Sequence, residues 1–257
     1  MTRFQGQTAL VTGSSGMGLA TALRLASEGM QVHLCGIDER LNDEARQKAG
    51  DLPVTVSRVD LSKDDEVAAW INDVGDAHGI DHLVNAAGVQ TYGDLETTTP
   101  AEFDRSLSVN LRAMFVTSHF AWSYLKARGR GAIVHISSVQ GFANQRNVLA
   151  YATSKGAVHA MTRAMAVDCA RHGLRVVSIS PGSVRTPLLE YGATQIAGPG
   201  GDPEEVIAMF GRGHPVGRIG TPEEIAGLVA WLLSEEGSFV TGTDIRIDGG
   251  LTAQLAV

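Results

Sequence analysis

Short, mostly apolar runs of four to six residues alternate with helical patterns along the whole chain, and this alternation constrains its fold more than any other feature. Such runs have no polar side to turn toward water, so they predict parallel strands with helices covering both faces of the sheet. The strand candidates are 8–11, 32–35, 54–59, 82–85, 132–137, 175–180 and 244–247, and the last alternates enough to be an edge strand. Helical periodicity appears after Gly13 as far as Gly29, then at 43–49, 64–77, 100–126, 150–171 and 222–233. Thr99 before Pro100 has the form of an N-cap followed by proline in the first turn. No linker, repeat or low-complexity tract divides the 257 residues, so one α/β domain with a sheet of about seven strands is expected. The stretch 184–220 is irregular and rich in glycine and proline, with one short helical candidate at 204–210. It follows the carboxyl end of a strand, where open α/β sheets bind ligands, and reads as a substrate lid.

Bulk charge removes several function classes. With 21 basic against 28 acidic residues the net charge is −7, and no basic stripe offers itself to nucleic acid or an anionic membrane. Aromatic residues are too few, at 5 %, for a base-stacking platform. No run approaches the roughly twenty apolar residues needed to span a bilayer. The first strand candidate begins at Thr8 with no leader-like pattern before it, so a cytoplasmic protein is expected. Cys35 and Cys169 both sit in apolar segments and read as buried free thiols.

The turn Thr12-Gly13-Ser14-Ser15-Gly16-Met17-Gly18 lies between the first strand and the first helix. Glycines at 13, 16 and 18 permit a tight turn and bring backbone close to a pyrophosphate, which meets free N–H groups at the helix start. Ser15 and Met17 complete this dinucleotide turn, and no Gly-Lys-Ser/Thr continuation points to a triphosphatase. Asp38, 25 residues past Gly13, is placed to accept from an adenosine ribose and to repel a 2′-phosphate, which favours NAD over NADP. Arg40 nearby is a counter-signal. Asp60, with Leu61 beside it, is a candidate for the adenine, and Asn85-Ala86-Ala87-Gly88 for the same ribose.

Tyr151 and Lys155 stand four apart near a helix start and share a face. A phenol with an ordinary pKa near 10 is a poor base at neutral pH, and a neighbouring ammonium favours its ionised form. Ser137 and Ser138 end the adjacent strand, within reach of the same substrate oxygen. A Tyr-x-x-x-Lys pair alone is commonly a core tyrosine and a surface lysine. The nucleotide turn is what makes it a candidate acid/base. His135 reads as core, and His82 and His214 have no partners at metal-ligand spacing, so no metal is expected.

Taken together, TGSSGMG, the NAAG at 85–88, Ser138, YATSK at 151–155 and the PG at 181–182 resemble, in order, the signatures of the classical short-chain dehydrogenase/reductase family along essentially the whole chain. The resemblance implies a Rossmann fold with a doubly wound parallel sheet. It implies that Ser138 polarises the substrate oxygen, Tyr151 passes the proton, and Lys155 holds the nicotinamide ribose while lowering the tyrosine pKa. Asn110 matches an asparagine that anchors a water leading from the lysine to solvent. Thr186 matches a position contacting the carboxamide, with Pro181, Gly182 and Val184 bordering the nicotinamide. It further implies a homotetramer whose dyad is formed by the two long helices at 100–126 and 150–171. The family commonly places Asp where Gly36 stands, for NAD, or Arg where Ile37 stands, for NADP, and this chain has neither.

The loop between Ser138 and Tyr151 carries Gln140, Asn144, Gln145, Arg146 and Asn147, more amides than an apolar steroid or acyl pocket needs. Gln90, Gln140, Asn147 and Glu190 are the polar residues expected near a sugar, sugar acid or polyol, and the loop's spacing is similar to that of the family's sugar dehydrogenases. The competing reading is an NADP-dependent reductase of ketones or 3-oxoacyl thioesters with the same catalytic residues. A non-catalytic dinucleotide-binding regulator would not require both Tyr151 and Lys155.

Overall fold

The computed structural model describes residues 2–255. Seven strands form one sheet in the order β3-β2-β1-β4-β5-β6-β7, and every neighbouring pair is parallel. They are β1 (Thr8–Thr12), β2 (Gln31–Gly36), β3 (Val54–Arg58), β4 (His82–Asn85), β5 (Ala132–Ile136), β6 (Arg175–Pro181) and β7 (Asp244–Ile247). The helices are α1 (Gly16–Ser27), α2 (Glu39–Ala49), α3 (Asp64–His78), α4 (Pro100–Leu107), α5 (Ala113–Arg128), α6 (Leu149–Ala170), α7 (Pro187–Ala197), α8 (Pro203–Gly213) and α9 (Pro222–Leu233). β1, β4 and β5 are buried at every position, which is why their sequences carry no polar alternation. β7 is only partly buried and closes one edge, as its alternation predicts.

Two apolar layers sandwich the sheet. On one side Leu19 and Leu25 of α1 pack with Val229 and Leu232 of α9. On the other, Trp70, Ile71 and Val74 of α3 meet Leu125 of α5 and Cys169 of α6. Gly75 lets α3 lie directly under the Tyr124 ring of α5, since a β-carbon there would stand 2.6 Å from three ring atoms. Cys35 and Cys169 are both buried and unpaired. No helix among the described residues is long and apolar enough to cross a membrane.

Three differences from the sequence-based expectation bear on the site. The helix at 43–49 begins at Glu39, because the Asp38 side chain caps it by accepting from the Leu41 N–H. The long helix at 100–126 contains a π-helical turn at Ser108–Arg112 between α4 and α5, a distortion that often marks a functional position. The stretch 184–220 holds two helices, α7 and α8, rather than one, with Thr186 and Asp202 as their caps.

Candidate active site

Order reversal in the sheet falls between β1 and β4, and the glycine turn lies at that point on the carboxyl ends of the strands. Ser15 precedes α1 in extended backbone without a side-chain cap, and the first turn has no acidic residue. The N–H groups that open α1 therefore have no side chain competing for them. A β-carbon at Gly13 would stand 3.1 Å from the Ala87 nitrogen, one at Gly16 3.0 Å from Thr186, and one at Gly18 2.1 Å from the Gly13 carbonyl. The turn thus fits a pyrophosphate against bare backbone, with Gly18 serving helix–strand packing rather than the ligand. Thr12 Oγ1 accepts from both the Ala86 and Ala87 N–H groups at 3.1 Å, tying the Asn-Ala-Ala-Gly segment to the end of β1.

From this turn a groove of about 550 Å³ runs past Asp38, Asp60, Leu61, Ala86 and Gly88 to Tyr151, Lys155 and Thr186. A second, of about 500 Å³, is lined by Gln90, Tyr92, Ser138, Gln140, Asn144 and Gln145 on its polar side and Leu188, Leu189, Met209, Phe210 and Leu251 on its apolar side. Met17, Tyr151, Thr186 and Leu188 line both, so the grooves meet at the tyrosine. A third cavity, of about 410 Å³, opens at the opposite ends of the strands, around Asp81 and Arg175, far from the glycine turn.

α6 projects Tyr151 and Lys155 inward, and both are buried. Lys155 Nζ donates to the Ile136 carbonyl at 2.9 Å and lies 5.6 Å from the centroid of the Tyr151 ring. Burial pulls its pKa down to about 8. Burial also pushes the Tyr151 phenol up to about 12, against a smaller downward pull from the Ser138 hydroxyl. Desolvation thus outweighs the influence of the hydroxyl on the phenol. Ser138 Oγ accepts from the Gln140 N–H at 3.1 Å, and Ser137 Oγ donates to the Lys155 carbonyl at 3.0 Å, locking the end of β5 to α6. Asn110 sits in the π-helical turn, fully buried. Its Oδ1 accepts from the Val89 N–H at 2.8 Å, and its Nδ2 donates to the Val89 carbonyl at 2.9 Å and to Ser154 Oγ at 3.1 Å.

Several expected site residues stand elsewhere. Asn85 lies beneath the cofactor groove, accepting from Thr117 Oγ1 at 2.7 Å and facing His135 Nδ1 at 3.2 Å. Gly182 and Val184 line the second groove rather than the first, and Pro181 ends β6 outside both. Asn147 lines neither groove. It adopts a left-handed φ of 60°, and its carbonyl accepts from the Gly93 N–H at 2.9 Å. Glu190 also lines neither, standing 3.7 Å from Arg185 on the exposed side of α7. Sequence reasoning missed Tyr92, His214 and the segment carrying Leu251, Thr252 and Gln254, all of which reach the second groove from distant parts of the chain. No local pattern marks them.

Gly36 explains the departure after β2. A β-carbon there would lie 2.0 Å from Ser14 Oγ and 2.7 Å from Asn42 Oδ1, so a larger side chain would require both of these to move. Asp38, two residues on, lines the groove instead, while Arg40 is turned along α2 into an ion pair with Glu44.

The family model described as enoyl-(acyl carrier protein) reductase matches residues 11–252. The levodione reductase of Leifsonia aquatica is 34 % identical over 98 % of this chain and 96 % of its own. The cyclohexanol dehydrogenase of an Acinetobacter strain is 33 % identical over 98 % of this chain and 97 % of its own. The ligand-free aldohexose dehydrogenase structure from Thermoplasma acidophilum superposes with a TM-score of 0.90 at 35 % identity, covering 99 % of this chain and 97 % of that one. The match from the glycine turn through β7 makes this chain a member of the classical short-chain dehydrogenase/reductase family, an oxidoreductase of CH–OH groups that works with a nicotinamide cofactor.

Proposed function

We propose that the chain is an NAD-dependent dehydrogenase of an uncharged, hydroxylated compound of ring size, a sugar or cyclic polyol, with Tyr151 as acid/base. The observation that carries this reading is the meeting of the two grooves at Tyr151, with Ser138 on the substrate side and Lys155 on the cofactor side. Bound nicotinamide supplies the hydride acceptor and a positive charge. Ser138 and Tyr151 hold the substrate hydroxyl, and the phenolate takes its proton as the C–H bond breaks. Lys155 holds the ribose, and Asn110 ties the segment after β4, at Val89, to α6 at Ser154. The glycine turn carries the pyrophosphate, Asp38 the adenosine ribose, and Asp60 and Leu61 the adenine. Orientation and a fixed polar site for the developing charge are the protein's contributions.

Two features support the cofactor and substrate parts. Asp38 Oδ1 caps α2, which leaves Oδ2 for ribose hydroxyls and sets a negative charge where a 2′-phosphate would lie. Among the described residues lining the second groove there is no Lys, Arg, Asp or Glu. A sugar acid would bring its carboxylate to a groove wall with no Lys or Arg to pair it, whereas Gln90, Gln140 and Asn144 offer neutral donors and acceptors to hydroxyls. The names of the relatives, an aldohexose dehydrogenase, a cyclohexanol dehydrogenase and a levodione reductase, are in keeping with a neutral ring. The segment 184–220, as α7 and α8, is the lid over this groove. Exposed Phe115 on α5 and Val167 on α6 are the apolar surface on which two copies would meet in a homotetramer.

The test is absorbance at 340 nm with NAD or NADP against aldoses, cyclic polyols, sugar acids and apolar alcohols, with Tyr151→Phe as control. Selective turnover of a neutral sugar or polyol with NAD, lost in Tyr151→Phe, is the expected result. Activity only with NADP, or only with acids or apolar alcohols, would overturn the cofactor or substrate reading.

A further inference from the structure

Tyr151 and Lys155 are followed on the same face of α6, four residues further on, by His159. It is buried, lines neither groove, and takes no part in the reading above. Its Nε2 lies 3.2 Å from Oδ1 of Asp244, the first residue of β7, and 3.0 Å from Ser180 Oγ. The same Asp244 oxygen accepts from Ser178 Oγ at 2.6 Å and Ser180 Oγ at 2.9 Å, which roots the pair in β6 as well as β7. Two neighbouring strands, β6 and the edge strand β7, thus fix the plane of one imidazole.

That imidazole carries the turn that follows Ser138. Phe142 stacks on it at 4.2 Å between centroids and 21° between planes, and the Arg246 guanidinium sits 5.6 Å from the Phe142 centroid. Gly141 runs so close to the ring that a β-carbon there would stand 2.2 Å from His159 Cε1. The Gly141 N–H in turn donates to the Ser138 carbonyl at 3.0 Å. A continuous line of contacts therefore joins Asp244, His159, the Gly141–Phe142 backbone and Ser138.

We propose that His159, oriented by Asp244, is a positioning residue that sets Ser138 against Tyr151. This rests on the reading of Ser138 as the residue that holds the substrate oxygen. A glycine at 141 is required because the turn must lie flat on the ring. The pair acts on substrate placement alone, since the cofactor groove contains neither residue nor any part of the turn from Val139 to Phe142.

The experiment measures kcat, KM and the Kd for NADH, together with thermal melting, for Gly141→Ala, His159→Leu and the double variant, with Ser138→Ala as reference. Each single variant is expected to lose at least tenfold in kcat while NADH affinity stays within about twofold. Both changes break the same contact, so the double variant should lose no more than the worse single one rather than the product of the two. Restoring a ring and removing the unpaired charge, in His159→Phe with Asp244→Leu, should recover most of the kcat lost in His159→Leu. Unchanged kcat in Gly141→Ala, multiplicative losses in the double variant, or a fall in NADH affinity equal to the fall in kcat would overturn the proposal. If His159→Leu does not fold, Gly141→Ala decides alone by the same criteria. Full activity in Ser138→Ala would instead overturn the reading of Ser138, whatever the other variants show.

Discussion

Burial drives Tyr151 and Lys155 toward their neutral forms, the phenol rising to about 12 and the ammonium falling to about 8. A raised phenol pKa means that the protonated form is favoured in the folded, ligand-free protein, so Tyr151 should stay protonated well beyond the usual value near 10. Phenolate absorbance near 295 nm, taken as wild type minus Tyr151→Phe, should show no Tyr151 signal at pH 10, and a transition below that pH would contradict it. Oxidation of the alcohol needs the deprotonated phenol and should speed up as pH rises through the neutral range. Tyr151→Phe removes the proton acceptor and should lower kcat by about 10²–10⁴-fold, with NADH binding by fluorescence nearly unaltered. Asp38 allows a cleaner substitution than most, because Asn at that position keeps the α2 cap and removes only the charge. Asp38→Asn should reduce the NAD-over-NADP ratio of kcat/KM at least tenfold with little change in melting temperature.

At the level of elements, α4, α7, α8 and α9 all begin in one way, with a capping side chain followed by proline: Thr99-Pro100, Thr186-Pro187, Asp202-Pro203 and Thr221-Pro222. The first of these is legible in the sequence as a helix start. The second carries the same signature, yet glycines and prolines around it give the segment the look of a loop, and α7 goes unread. β1, β4 and β5 are legible because full burial on both faces leaves them mostly apolar. The π-helical turn is not, since its single extra residue leaves no mark on the periodicity. At the site, the positions of residues fixed by backbone chemistry follow from the sequence: the glycines at 13 and 16 in the turn before α1 and the shared face of Tyr151 and Lys155 on α6. Asn147 and Glu190 do not, because loop composition says nothing of where a side chain points. Thr221 and Glu224 form a reciprocal capping box at the start of α9. Thr221→Ala should cost ~1 kcal/mol, read as a melting point lower by about 2–4 °C for a protein of this size.

Across the whole molecule, the cofactor groove draws on β2, β5, α1, α2, α4, α6 and α7 and on the segments that follow β1, β2, β3, β4, β5 and β6. A ligand held by so many elements binds only the folded chain. At a hundred times its dissociation constant NAD should therefore stabilise the fold by about 2.7 kcal/mol, seen as an upward shift in melting temperature. NADP at equal concentration should shift it less, and an equal or larger shift would contradict the Asp38 argument. The contact of α1 with α9 has a different consequence, one of timing. The helix that opens the dinucleotide site, at Gly16–Ser27, finds its principal cover in Pro222–Leu233, far along the chain from it. During synthesis, which proceeds from the amino terminus, the apolar side of that first helix must wait until the seven helices and five strands between it and α9 have been made. A contact so distant along the chain is slow to form, and a ribosome-bound product ending before residue 222 would expose Leu19 and Leu25 to whatever chaperone or hydrophobic neighbour reached them first.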